Sequence, residues 1–131
     1  MGTRSTIALE FADGTVEQVY CHWDGYLEGN GAMLEQHYMN PFKVKQLLAL
    51  GGFSSLEASV EDTKKTAYTQ RGEDLSIEKF KDFEDYKANH QYEEYEYILR
   101  NINGIAVWFV ADHSDRYVTL AEAFEAQKEM A

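Results

Sequence analysis

Thr6-Ile7-Ala8-Leu9-Glu10-Phe11-Ala12-Asp13-Gly14-Thr15-Val16-Glu17-Gln18-Val19-Tyr20-Cys21-His22 is the run whose reading decides the fold class. Ile7, Leu9 and Phe11 recur at every second position, the signature of a strand with one buried face. Asp13-Gly14 supplies the pair favoured where a tight hairpin turn needs positive φ. Val16 to His22 is β-favouring again, so the segment predicts an antiparallel hairpin.

Outward from this hairpin, Val19-Tyr20-Cys21-His22-Trp23-Asp24-Gly25-Tyr26 runs on to Gly29-Asn30-Gly31, and the glycines let the chain turn between strand and helix. Met33, Leu34, His37 and Tyr38 then fall at helical spacing over 32–39. Pro41, behind Asn40 as N-cap, suits the first turn of a second helix over 41–50. Val44, Leu47 and Leu48 form its apolar side and Gly51-Gly52 ends it. Residues 61–76 read as a polar connection with a short strand at 65–69. Ser76 is placed to cap a helix in which Ile77, Phe80, Phe83 and Tyr86 would share one stripe. Tyr95 to Arg100, the Asn103-Gly104 turn and Ile105 to Val110 predict a second hairpin with a central inner strand. Tyr117-Val118 extends it, and Thr119 caps a C-terminal helix with Leu120, Ala123, Phe124 and Gln127 at helical spacing. The expected fold is a single α+β domain over 1–131: an antiparallel sheet from N- and C-terminal hairpins, with helices packed mainly on one face.

Composition narrows the function classes. The chain has 131 residues, 12 basic against 23 acidic, for a formal net charge of −11. Such a field repels phosphate backbones, so no direct nucleic-acid binding is expected. It suits a basic protein partner, including one whose basic surface normally holds nucleic acid. A single cysteine excludes an internal disulfide and a multi-cysteine zinc site. No apolar run approaches the ~20 residues that span a membrane, and the opening residues lack the apolar core of a secretory signal. The expected location is the cytoplasm.

Three sets of residues could carry function. Arg4, Tyr20, His22, Trp23, Asp24, Tyr26 and Arg71 combine stacking faces with guanidinium forks, the chemistry that grips a base and a phosphate. They define a candidate ligand site, with a nucleotide as one ligand class. Between Glu73 and Glu96 the chain carries nine acidic residues against three lysines, or six net negative charges. Within that stretch Glu84, Asp85, Tyr92, Glu93, Glu94 and Tyr95 mark a candidate partner surface, since tyrosine is favoured at interfaces. A solvated helix face accounts for the same pattern. The third set, His22, Asp24 and His37, offers a metal-dependent hydrolase: an His-x-Asp pair on extended backbone shares a face, and His37 would complete a triad. Cys21 makes a poor nucleophile, because the adjacent His22 points to the opposite side of a strand. Neither a dinucleotide fingerprint nor a Walker loop is present, so no cofactor, no metal and no catalytic residue is expected.

The segments Thr3-Arg4-Ser5-Thr6-Ile7-Ala8, Asp13-Gly14-Thr15-Val16, Tyr20-Cys21-His22-Trp23-Asp24-Gly25-Tyr26, Gly31, His37-Tyr38 and Lys43-Val44 resemble a group of small uncharacterised proteins of tailed bacteriophages and bacteria. The resemblance covers roughly residues 3–58, and Arg71-Gly72-Glu73 is similar to a further element of that group. It implies a non-enzymatic protein of the host cytoplasm that binds and inhibits a host factor. A bacterial antiviral defence component, such as a CRISPR or restriction system, is the class of target it implies.

Overall fold

A computed structural model describes residues 3–90, 93–112 and 116–130. Its elements are β1 (Ser5–Glu10), β2 (Val16–Cys21), a π turn (Leu27–Gly31), α1 (Ala32–His37), α2 (Pro41–Leu48), α3 (Val60–Lys64), a 3-10 turn (Tyr68–Arg71), β3 (Glu78–Phe80), α4 (Phe83–Asn89), β4 (Tyr95–Ile102), β5 (Ile105–Asp112), β6 (Val118–Thr119) and α5 (Leu120–Met130). The six strands form one sheet in the order β3-β2-β1-β4-β5-β6. The fold is α+β.

Both predicted hairpins form. At the second, Asn103 and Gly104 adopt φ of 54° and 86°, the left-handed pair that a two-residue hairpin turn demands. The hairpins lie side by side through β1 and β4, which pair parallel from Ser5–Tyr95 to Leu99 opposite Leu9. The sheet is therefore mixed, antiparallel within each hairpin and parallel where they meet.

Strand alternation sorts the side chains onto two faces. Ile7, Leu9, Val19, Cys21, Tyr97, Leu99, Trp108 and Val110 lie in the larger core, with Leu34 of α1, Val44, Leu47 and Leu48 of α2, and Leu120 of α5. Its buried aromatics have partnered polar ends, as burial requires. Trp108 Nε1 donates to the Tyr38 carbonyl at 3.0 Å, and the Tyr97 hydroxyl to that of Gly25 at 2.6 Å. The other face holds a smaller cluster of Ala8, Val16, Phe80, Tyr86 and Ile98 under α4.

The helix caps follow the local chemistry. Asn40 accepts from the Phe42 amide at 2.9 Å with Pro41 in the first turn. Thr119 and Glu122 cap α5 reciprocally: the Glu122 amide donates to Thr119 Oγ1 at 3.1 Å, and Thr119 Oγ1 donates to Glu122 Oε1 at 2.8 Å.

Two expectations in the middle of the chain are corrected. No strand forms at 65–69; α3 and the 3-10 turn occupy the region, and only an isolated bridge joins Phe53 to Ala67. Nor does a helix start at Ser76, whose φ of 56° is incompatible with one. The Ile77, Phe80, Phe83, Tyr86 stripe comes from two elements with a three-residue step by coincidence. Phe80 lies on β3 opposite Val16, whereas Phe83 and Tyr86 lie on α4, capped by Asp82. Ile77 packs instead against the larger core.

Leu99, on a central strand and 1% exposed, tests this packing. Leu99→Ala is expected to lower the unfolding free energy by roughly 2–5 kcal/mol, read from urea denaturation.

Candidate functional site

The Tyr20–Gly31 corner has an inward and an outward half. Cys21 points into the core, where its thiol approaches the carbonyls of Trp23 at 3.6 Å and Ser54 at 3.8 Å. Burial pushes that thiol up to about 12, so it is a packed side chain, not a nucleophile. The buried Asn30 amide ties the corner together, donating to Ser5 Oγ and the Trp23 carbonyl, both at 3.1 Å. Asp24 turns the chain with φ of 60°, and its carbonyl accepts from the Asn30 amide at 2.7 Å. Gly29 lies so close that an added Cβ would sit 2.3 Å from that carbonyl oxygen, which leaves no room for any other residue.

That turn at Asp24 also breaks the extended geometry on which the His22, Asp24, His37 triad depends. His22 and Asp24 no longer alternate along one strand, and His37 lies at the exposed end of α1. Among the described residues no group of three His, Cys, Asp or Glu could hold a metal ion.

The outward half forms an aromatic line along the end of β2. Tyr20 and His22 share the face opposite Cys21, and the Tyr20 hydroxyl lies 2.8 Å from His22 Nδ1. His22 meets Trp23 edge to face at 4.6 Å, and Tyr20 stacks on Tyr68 at 6.4 Å. Arg71 lies over the Tyr68 ring at 4.7 Å and pairs with Glu73. Trp23 and Tyr26 are 43% and 38% exposed. The structure thus joins Tyr20, His22, Trp23 and Arg71 through Tyr68. Asp24 stands apart from this line, with the Tyr26 hydroxyl bonded to it at 3.4 Å.

Beside Tyr20 opens a concavity of about 620 Å³ lined by Arg4, Thr6, Tyr20, Ser76, Ile77, Glu78 and Glu93, a volume in the range of small-ligand sites. Burial raises the Glu93 carboxyl above its ordinary value, and the Arg4 charge partly offsets it. Registers across the sheet place Tyr20 opposite Thr6 and Thr6 opposite Glu96. Glu96, next to Thr6, belongs to a buried polar group: His90 Nε2 pairs with Glu96 Oε2 at 2.8 Å, and the Tyr117 hydroxyl donates to Glu96 Oε1 at 2.9 Å. The Tyr86 ring stacks on His90 at 4.3 Å.

No family model, curated protein or solved structure matches the chain.

The candidate partner residues are less gathered. Asp85 is engaged in its own segment, accepting from the Lys81 amide at 2.9 Å and from Asn89 Nδ2 at 2.7 Å. Glu94 accepts from the Arg4 amide at 3.3 Å, and Glu93 lines the concavity. Tyr95 stacks on Tyr97, on the sheet face away from α4. Glu84 pairs with Lys87, at 3.1 Å. Tyr92 lies outside the described residues. A second groove, of about 470 Å³ beside Phe42 and Ala106, contains none of the candidate ligand, partner or metal residues.

Sequence reasoning missed Thr6, Gln18, Glu78 and Tyr68. The first two were within reach, because strand alternation alone puts Thr6, Gln18 and Tyr20 on one face. Tyr68 joins only through the fold of the 53–71 segment.

The buried pair gives a pH signature. Burial pulls the His90 imidazolium down, but the Glu96 hydrogen bond and charge outweigh it and leave the value raised; the Tyr86 carbonyl and the Glu78 charge act in the same direction. A raised histidine contributes stability that is complete below its unfolded value of about 6.5 and is lost as pH rises through the folded value. Urea midpoints are expected to fall across that window in the wild type. Glu96→Gln is expected to flatten this slope; an unchanged slope would remove the pair as its source.

Proposed function

We propose that this chain is a non-enzymatic binding protein of phage type that blunts a bacterial antiviral defence by capturing a small ligand. Its working site is the Arg4–Tyr20–Glu93 concavity with the His22, Trp23, Tyr68 and Arg71 rim. One observation carries the reading: residues from 4 to 93 converge on one end of the sheet around a cavity of about 620 Å³, with a line of aromatic rings ending in an arginine. Rings that stack and guanidinium groups that fork suit a nucleotide better than an aliphatic metabolite. A nucleotide signal of the host is the ligand class favoured here. The setting in phage and host comes from the resemblance of residues 3–58. Docking of a basic host protein on Glu84, Asp85, Glu93, Glu94 and Tyr95 has less geometric support, because Asp85 and Glu94 already serve intramolecular contacts.

Thermal unfolding against a panel of linear and cyclic nucleotides tests the reading. At one hundred times the dissociation constant, a site specific to the folded state adds about 2.7 kcal/mol of stability. Arg4→Ala and Tyr20→Ala are expected to abolish the shift while keeping the ligand-free transition. A flat response across the panel would sink the nucleotide reading, and recovery of a stoichiometric host protein through Glu84 would replace it.

A further inference from the structure

The groove of about 470 Å³ lies at the other end of β1, between that strand and the start of α2, and shares no lining residue with the Arg4–Tyr20–Glu93 concavity. Leu9 and Leu99, 4% and 1% exposed, form its base, and Phe42 stands 78% exposed at its mouth beside Pro41. An apolar base with a few charged groups around it is the usual make-up of a small-molecule site, and the volume falls in that range. Two of the charged groups are occupied by one another. Arg100 Nη2 donates to Glu10 Oε2 at 3.3 Å, the Asn101 amide donates to Glu10 Oε1 at 3.1 Å, and the Arg100 guanidinium lies 3.8 Å from the centre of the Phe83 ring. The third is Lys45 on α2. It is exposed, and its ammonium group makes no hydrogen bond or ion pair with another described residue. Asp13 and Glu17 line a neighbouring groove with Lys45, yet Asp13 accepts from Thr15 instead. With Glu10 and Arg100 cancelling, Lys45 leaves the groove with a local positive charge in a chain of net charge −11.

We infer that this groove is a second binding site, for a small apolar monocarboxylate. The apolar body lies against Leu9, Leu99 and Phe42, covering apolar surface that is otherwise in contact with water. The carboxylate lies beside Lys45. A lone ammonium is a point charge on a flexible stem and matches one negative charge, whereas the guanidinium fork that would favour a phosphate is committed to Glu10. A second ligand charge would face that same carboxylate without compensation. The acidic residues elsewhere in the chain oppose an anion weakly here, because salt at about 0.15 M screens exposed charges beyond about 8 Å. The groove thus acts independently of the nucleotide reading, through different residues and a different ligand.

Amide chemical-shift titration of the full chain with naphthoate and with its neutral analogue naphthamide, at about 0.15 M salt, tests the inference. Both probes are expected to shift Leu9, Phe42, Lys45 and Ala106, and naphthoate to bind roughly two- to fivefold more tightly, the scale of one exposed ion pair. Lys45→Met is expected to erase that preference and keep naphthamide binding, and Phe42→Ala to weaken both probes. Both substitutions fall on exposed helix positions and introduce good helix formers, so thermal transitions close to that of the wild type are expected. Equal affinities, a preference for naphthamide, a preference that survives Lys45→Met, or no saturable shift at the groove up to the solubility of the probes would each overturn the inference. None of these outcomes bears on nucleotide binding at Arg4 and Tyr20.

Discussion

The parallel pairing of β1 with β4 is the contact on which the rest of the molecule depends. It joins two hairpins about 90 residues apart and buries β1 on both faces, with Ile7 and Leu9 in the larger core and Ala8 in the smaller one. A shift of one residue would exchange those faces. Thr6 would then leave its place between Tyr20 and Glu96, and the polar floor would separate from the buried His90–Glu96 pair. Register at one strand pair therefore sets both the stability of the core and the composition of the concavity.

The legible parts of the fold were those with strong local signals. Alternation in Ile7, Leu9 and Phe11 marked the first strand, and Asp13-Gly14 and Asn103-Gly104 marked the turns. Asn40-Pro41 and Thr119 marked helix starts. The middle of the chain misled because Ile77, Phe80, Phe83 and Tyr86 mimic a helical stripe while serving a strand, a helix and two different cores. Parallel pairing of the hairpins could not be read locally, since no residue of β1 names its partner in β4. For the site, chemistry-bearing residues were visible but their company was not. Arg4 and Tyr20 meet Glu93 only once the sheet is assembled, and Arg71 joins through Tyr68. The positive φ of Asp24, which turns the corner, could not be read from its place beside His22.

Charge bears on which ligands the proposed site would admit. A net charge of −11 opposes long polyanions. A small ligand needs only a local match, and the concavity is lined by the Arg4 guanidinium group and two carboxylates, Glu78 and Glu93. The buried His90–Glu96 pair stiffens the floor beneath it, because Glu96 also accepts from the Glu93 amide at 3.4 Å and so links the pair to the cavity wall.

Backbone amide chemical-shift mapping during an AMP titration tests the central claim most directly. The account predicts saturable shifts centred on Arg4, Thr6, Tyr20, Ser76 and Glu93, spreading to Tyr68 and His22, with the groove beside Phe42 and Ala106 silent. Shifts centred on that groove or on α4, or none at concentrations that saturate a millimolar site, would contradict it.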